Sequence, residues 1–141
     1  MLSISDTVER QKSIWELLGG TDGGAPDAFA ELVDRFYDGI ENDPIIRPMY
    51  PDDDMPGARE RLALFLIQYF GGPAIYSEQH GHPRLRMRHS PYKVDTKAAD
   101  AWLSHMDKAL ETTPVFAPYV DGMKEYFHHT AYFLRNTQDS Q

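Results

Sequence analysis

Six histidines are the side chains of this sequence best suited to hold a metal or move a proton: His80, His82, His89, His105, His128 and His129. No cysteine accompanies them. That excludes a disulfide framework, thiolate zinc and iron–sulfur sites, a cysteine nucleophile and covalent cofactor attachment through thiols. His89 stands apart from the other five. Leu85 lies four residues before it, so the two share one face of a short helix, and Pro91 would end that helix just past the imidazole. Arg84 and Arg88 occupy a neighbouring stripe about 100° around the helix, with Arg86 on another side. The product is a nitrogen donor at the edge of an apolar surface, ringed by cations, which suits a flat, largely apolar anion. A solvated basic loop paired with local acids would have the same composition, and the spacing leaves both readings open.

A second set is aromatic: Tyr37, Tyr50 and Trp102. At helical spacing such residues ordinarily fill cores, yet a buried hydroxyl or indole N–H must find a partner. Were the three to converge, their donors would close one side of a pocket. Other constellations carry less. GGTDGG follows a helical pattern and not a strand, so it is no phosphate-binding fingerprint. The Asp52–Asp54 run lacks the remainder of a calcium loop and reads as an exposed turn capping the next helix. His128 and His129 point about 100° apart on a helix, a poor chelating pair.

The elements that must position these residues are helical. Phe29, Leu32, Val33, Phe36, Tyr37 and Ile40 follow the 3.6-residue period, after Pro26 and Asp27 and before Asn42–Pro44. Leu62, Phe65, Leu66, Tyr69 and Phe70 mark a second helix from Pro56, stopped by Gly71, Gly72 and Pro73. Asp95 is the expected N-cap of a third, through Trp102, Leu103, Met106, Ala109 and Leu110. A fourth runs from Tyr119 to Leu134, and a shorter one covers residues 9–18. No stretch alternates with period two, so the fold class is all-α. Between the second and third long helices lies an irregular segment, GGPAIYSEQHGHPRLRMRHSPYK. Long irregular segments inside compact domains tend to carry function.

The 141 residues are 41% hydrophobic, and at this size folding buries roughly two-thirds of the chain's surface. One domain is expected over residues 9–135, with a flexible N-terminal extension at 1–8 and a flexible tail at 136–141. A net charge of −8 speaks against nucleic acid or an anionic membrane as partner. The longest apolar run, Leu62–Ile67, is far short of the roughly 20 residues of a bilayer span. The N-terminus has no apolar signal region, so a cytoplasmic location is expected.

The stretch RFYDGIENDPIIRPMYPDDDMPGARERLALFLIQYFGGPAIYSEQHGHPRLRMRHSPYKV, continued by AADAWLSHM, resembles the group II truncated haemoglobins of bacteria. The likeness is close over residues 25–110 and looser elsewhere. It implies a two-over-two helical sandwich enclosing haem b, iron protoporphyrin IX, with His89 as the proximal ligand of a five-coordinate iron. It further implies that Tyr37, Tyr50 and Trp102 line the distal side as the reactive residues. Ala58 falls where other globins often place a distal histidine or glutamine, and Leu62 lies one turn later. Phe65, Leu85 and Met106 complete the apolar wall. Arg86 and Tyr76, then Arg61 and His82, are the expected propionate contacts. Phe70 replaces a tryptophan common in the family, His80 replaces an arginine, and GGTDGGAP and the N-terminal stretch are longer than usual.

The expected ligands are dioxygen, carbon monoxide and nitric oxide. Dioxygen held tightly by the three aromatic donors would suit nitric oxide dioxygenation or peroxide reduction, with an external electron donor. Reversible oxygen storage, transport or gas sensing is the alternative, and a homo-oligomer stays open.

Overall fold

A computed structural model describes residues 12–50 and 52–139. The short first helix α1, Ile14–Leu17, starts where Ser13 accepts a hydrogen bond from the Glu16 amide at 3.2 Å. Residues 9–11 of the expected helix, and the 1–8 extension, lie outside the described residues. Trp15 of α1 is buried with its ring centroid 6.0 Å from that of Phe29.

Four longer helices carry the architecture: α2 (Ala25–Glu41), α3 (Met55–Tyr69), α6 (Thr96–Thr112) and α7 (Val120–Phe133). Prolines sit in the first turns of α2 and α3, where a missing N–H costs nothing and the fixed φ suits the helix. Asp95 caps α6 as expected, accepting from the Ala98 amide at 2.9 Å. Asp54, by contrast, precedes α3 without a side-chain cap bond; its carboxylate faces Arg61 at 3.1 Å. After α3 the chain reverses at Gly71, whose φ of 103° suits glycine. A Cβ there would also collide with the Ser13 side chain.

Helix α2 packs on both α3 and α6, and α6 packs on α7. The pairs α2–α3 and α6–α7 form a two-over-two sandwich, and every regular element among the described residues is helical. Phe29, Phe36, Leu32, Ile40, Met106 and Phe116 are fully buried between the pairs. Each contributes about 1.5–3 kcal/mol by leaving water.

The irregular segment holds two short helices, α4 (Ile75–His80) and α5 (Leu85–His89). Two 3₁₀ turns, Arg47–Met49 and Pro114–Tyr119, complete the chain path. The second of these occupies the approach to the expected fourth helix, so α7 begins at Val120. Asn136 and Asp139, expected in a free tail, bond instead to the segment after α5 and to Thr96.

Candidate functional site

A cavity of about 500 Å³ opens between the helix pairs, walled on one side by α5. Its volume lies in the range of small-molecule and cofactor sites. Helix α2 contributes Tyr37, and the loop after the first 3₁₀ turn contributes Tyr50. Ala58, Arg61, Leu62 and Phe65 come from α3, Tyr76 from α4, Leu85 and His89 from α5, and Trp102 from α6. The structure therefore gathers ten of the expected site residues around one space.

Three expected residues stand elsewhere. Met106 is fully enclosed in the helix-pair core, because the apolar stripe of α6 is wider than the cavity wall. Arg86 lies with its guanidinium 5.0 Å from the Phe133 ring centroid, beyond the cavity. His82 is exposed and accepts a hydrogen bond from the Arg84 amide at 3.1 Å. Arg88 takes the place expected of Arg86 on the cavity wall. The two arginines flank His89 on opposite sides of a one-turn helix, and sequence spacing does not say which flank turns inward. Tyr92, Tyr126, Phe127 and Thr130 also line the cavity. Tyr126, Phe127 and Thr130 come from α7, where helical periodicity marks the element but not which of its residues face the cavity.

His89 presents one nitrogen to this space. Its Nδ1 lies 2.7 Å from the Leu85 carbonyl oxygen, an acceptor only, so Nδ1 carries the hydrogen and donates it. Nε2 then keeps its lone pair, the tautomer that ligates a metal. Among the described residues no group of three or more His, Cys, Asp and Glu side chains could chelate a bare ion. A single imidazole suits a metal that brings its other ligands with it.

Across the cavity the aromatic donors meet. The Tyr37 and Tyr50 ring centroids lie 5.5 Å apart, edge to face. Trp102 is fixed between Phe36 and Phe127, at 4.9 and 5.7 Å. The Tyr37 hydroxyl donates to the Ala58 carbonyl at 3.3 Å. Burial pushes the Tyr37 hydroxyl up to about 12, with hydrogen bonding to Tyr50 opposing the rise. Burial likewise drives Tyr50 well above the ordinary phenol range; the Tyr37 phenol adds to this, and hydrogen bonding to Trp102 opposes it.

The direction of these contacts follows from the inventory of donors. Tyr37 uses its one hydrogen on Ala58, so toward Tyr50 it can only accept. An indole can only donate, so toward Tyr50 the Trp102 side chain acts as the donor. Both phenols stay protonated through the neutral range. The distal wall thus holds two hydroxyls and an indole N–H, and Ala58 supplies a backbone acceptor where a bulkier side chain would fill the space.

Electrostatics favour an anionic edge. Arg61 and Arg88 stand at the cavity wall, Arg61 half-exposed and tied to Asp54. Arg59 sits outside, paired with Asp34, Asp38 and Glu41, its guanidinium 5.4 Å from the Tyr37 ring centroid. An apolar slot, one imidazole lone pair and a cationic margin fit the ligand chemistry of haem.

Fold and cavity together define a small helical protein with an apolar-walled cavity between two helix pairs. The family model for bacterial-like globins matches residues 13–136. A group 2 truncated hemoglobin of Bacillus subtilis (strain 168) is 44% identical over 85 residues, covering 60% of this chain and 64% of that protein. The chain thus spans less than two thirds of the length of the curated relatives it matches first. The solved group II truncated hemoglobin of Bacillus anthracis is 34% identical with a TM-score of 0.82, covering 94% of this chain and 97% of its own. A truncated haemoglobin from Bacillus subtilis described as oxygen-avid is 32% identical with a TM-score of 0.78, covering 89% and 100%. The chain belongs to the bacterial-like globins and, within them, to the group II truncated haemoglobins. That family binds haem and diatomic gases. No helix among the described residues is long and apolar enough to cross a membrane.

Proposed function

We propose that this chain binds haem b through Nε2 of His89, takes dioxygen, carbon monoxide and nitric oxide as ligands, and holds dioxygen for redox chemistry instead of delivery. The observation that carries this reading is the pairing of a tautomer-fixed imidazole with three aromatic donors across one apolar cavity. Bound haem would supply a redox-active iron with one position open to a diatomic gas. The chain's own residues do the rest. Leu85 holds the His89 ring hydrogen, while Arg61, Arg88 and Tyr76 stand at the wall to meet carboxylate groups. Leu62, Phe65 and Phe127 keep water from the slot.

Trp102 and Tyr50 carry the hydrogens that a gas ligand in the distal space would draw from their present partners, and such a bond would stabilise a ligand that gains negative character. One such bond contributes about 1–3 kcal/mol. A combined ~2.7 kcal/mol would slow oxygen release about a hundredfold if all of it lay in the off-rate. Firm retention suits nitric oxide dioxygenation, in which nitric oxide, dioxygen and one electron balance to nitrate. The electron comes from an external donor, as it would for peroxide reduction. The description of the Bacillus subtilis relative as oxygen-avid supports firm retention over storage or transport.

The test is the absorption spectrum of the purified protein, ferric, reduced and then with carbon monoxide. An intense Soret band that shifts at each stage is expected, and His89→Ala should abolish the normal reduced spectrum. Spectra that are the same in the variant would place the iron on another residue. No band after haem addition would end the haem reading.

A further inference from the structure

Helix α5 carries His89, yet it has little to hold itself in place. It is five residues long with none buried, and so short a helix is not stable from its own hydrogen bonds. It starts from Arg84 in the left-handed region, φ 41° and ψ 57°, where a side chain other than glycine is strained. Its orientation must therefore be imposed from outside. At the N-terminal side Arg88 does this, with its guanidinium bonded to the carbonyls of Pro83 at 2.6 Å and of His80 and His82.

At the C-terminal side one carboxamide does the corresponding work. The Asn136 amide nitrogen donates to the His89 carbonyl at 3.1 Å and to the Tyr92 carbonyl at 2.9 Å. Its side-chain oxygen accepts from the Val94 amide at 2.9 Å. The Asn136 backbone N–H donates to the Val94 carbonyl at 2.8 Å. Both sides of the carboxamide are thus used on the six residues from His89 onward, more than 40 positions away in sequence. The His89 carbonyl at the end of α5, which also accepts from the Tyr92 amide at 2.9 Å, is among its acceptors.

We propose that Asn136 is a positioning residue for His89: by bracketing the 89–94 segment it fixes the end of α5 and so the direction in which the imidazole presents Nε2. This rests on His89 being the haem ligand. The residue types are informative, because an aspartate would keep the acceptor for Val94 but set a carboxylate against two carbonyl oxygens. Asp139 bonds Thr96 further along, not the segment after His89, and serves as the control.

The experiment compares Asn136→Ala, Asn136→Asp and Asp139→Ala in the full chain. Resonance Raman of the reduced protein reads the iron–histidine stretching band, and hydrogen exchange of the haem-free protein reads the amides of residues 89–94. Both Asn136 variants should shift or broaden the band and speed exchange across residues 89–94, and Asn136→Ala, which alone removes the Val94 acceptor, should speed the Val94 amide by about tenfold or more, as loss of one such bond implies. Asp139→Ala should leave both as in the parent. Should Asn136→Ala not fold, Asn136→Asp alone decides. An unchanged band and unchanged local exchange, even with a lowered melting temperature, would overturn the proposal and leave Asn136 a general tether. If the parent protein shows no iron–histidine band, the ligand assignment fails, while the exchange comparison still decides whether Asn136 holds α5.

Discussion

Of the three aromatic donors in the cavity, Trp102 alone cannot also accept, and that makes it the fixed point of the distal wall. Tyr37 and Tyr50 can each reverse their hydroxyl hydrogens as partners change, whereas the indole N–H points where Phe36 and Phe127 hold the ring. Trp102→Phe keeps an aromatic filler and removes the hydrogen. Oxygen release should accelerate by about tenfold, the equivalent of one bond of ~1.4 kcal/mol, read by stopped-flow dissociation. A rate equal to the parent's would remove Trp102 from the ligand's surroundings. This residue, with Tyr37, Tyr50 and His89, was legible in the sequence through type and resemblance. Arg88 was not legible as the inward arginine, because Arg86 and Arg88 differ only in which side of a one-turn helix faces the cavity. Tertiary contacts separate them, Arg86 lying over the Phe133 ring and Arg88 bonding the carbonyls of residues 80–83, and no local spacing encodes those.

At the scale of elements, the long helices follow from period and punctuation. Prolines begin α2 and α3, Asp95 begins α6, and the Gly71 turn ends α3, all as the residue types require. What escaped were pieces too short to show a period: α4, with six residues, and the 3₁₀ turn at Pro114–Tyr119. The crossing of α2 and α6 was equally hidden. There Gly39 leaves room for the His105 ring, which a Cβ would strike at Nδ1. The ring cannot swing away freely, since its Nε2 lies 2.6 Å from the Asp43 carboxylate. That bond, first among its causes, holds Asp43 below the usual carboxylate range. Alanine is a better helix former than glycine by ~1 kcal/mol, yet Gly39→Ala should destabilise the protein by about 1–3 kcal/mol through overpacking. Urea unfolding would measure it, and adding His105→Ala should relieve the collision. A single variant more stable than the parent would show that the ring yields without cost.

For the molecule as a whole, the cavity and the charge pull in opposite directions. A net charge of −8 disfavours an anionic cofactor at long range, while Arg61 and Arg88 reverse the sign at the cavity wall. Local cations in a partly enclosed site outweigh distant exposed acids, which salt screens beyond about 10 Å. The apolar walls contributed by α2, α3, α6 and α7 lack packing partners across some 500 Å³ when nothing fills the space, and missing contacts of that kind weaken a fold. A cofactor that binds the folded chain alone must then stabilise it by mass action, about 4.1 kcal/mol when present at a thousand times its dissociation constant. For a chain of this length that raises the melting midpoint by roughly 10 °C. Thermal melts of the haem-free protein titrated with haem should show the midpoint climbing and continuing to rise with excess cofactor. His89→Ala should keep part of the rise, from the apolar contacts and arginines, and lose the part owed to the imidazole. A midpoint indifferent to haem in the parent protein would mean that the helix pairs close over the cavity by themselves, and that the space between them is not built for this cofactor.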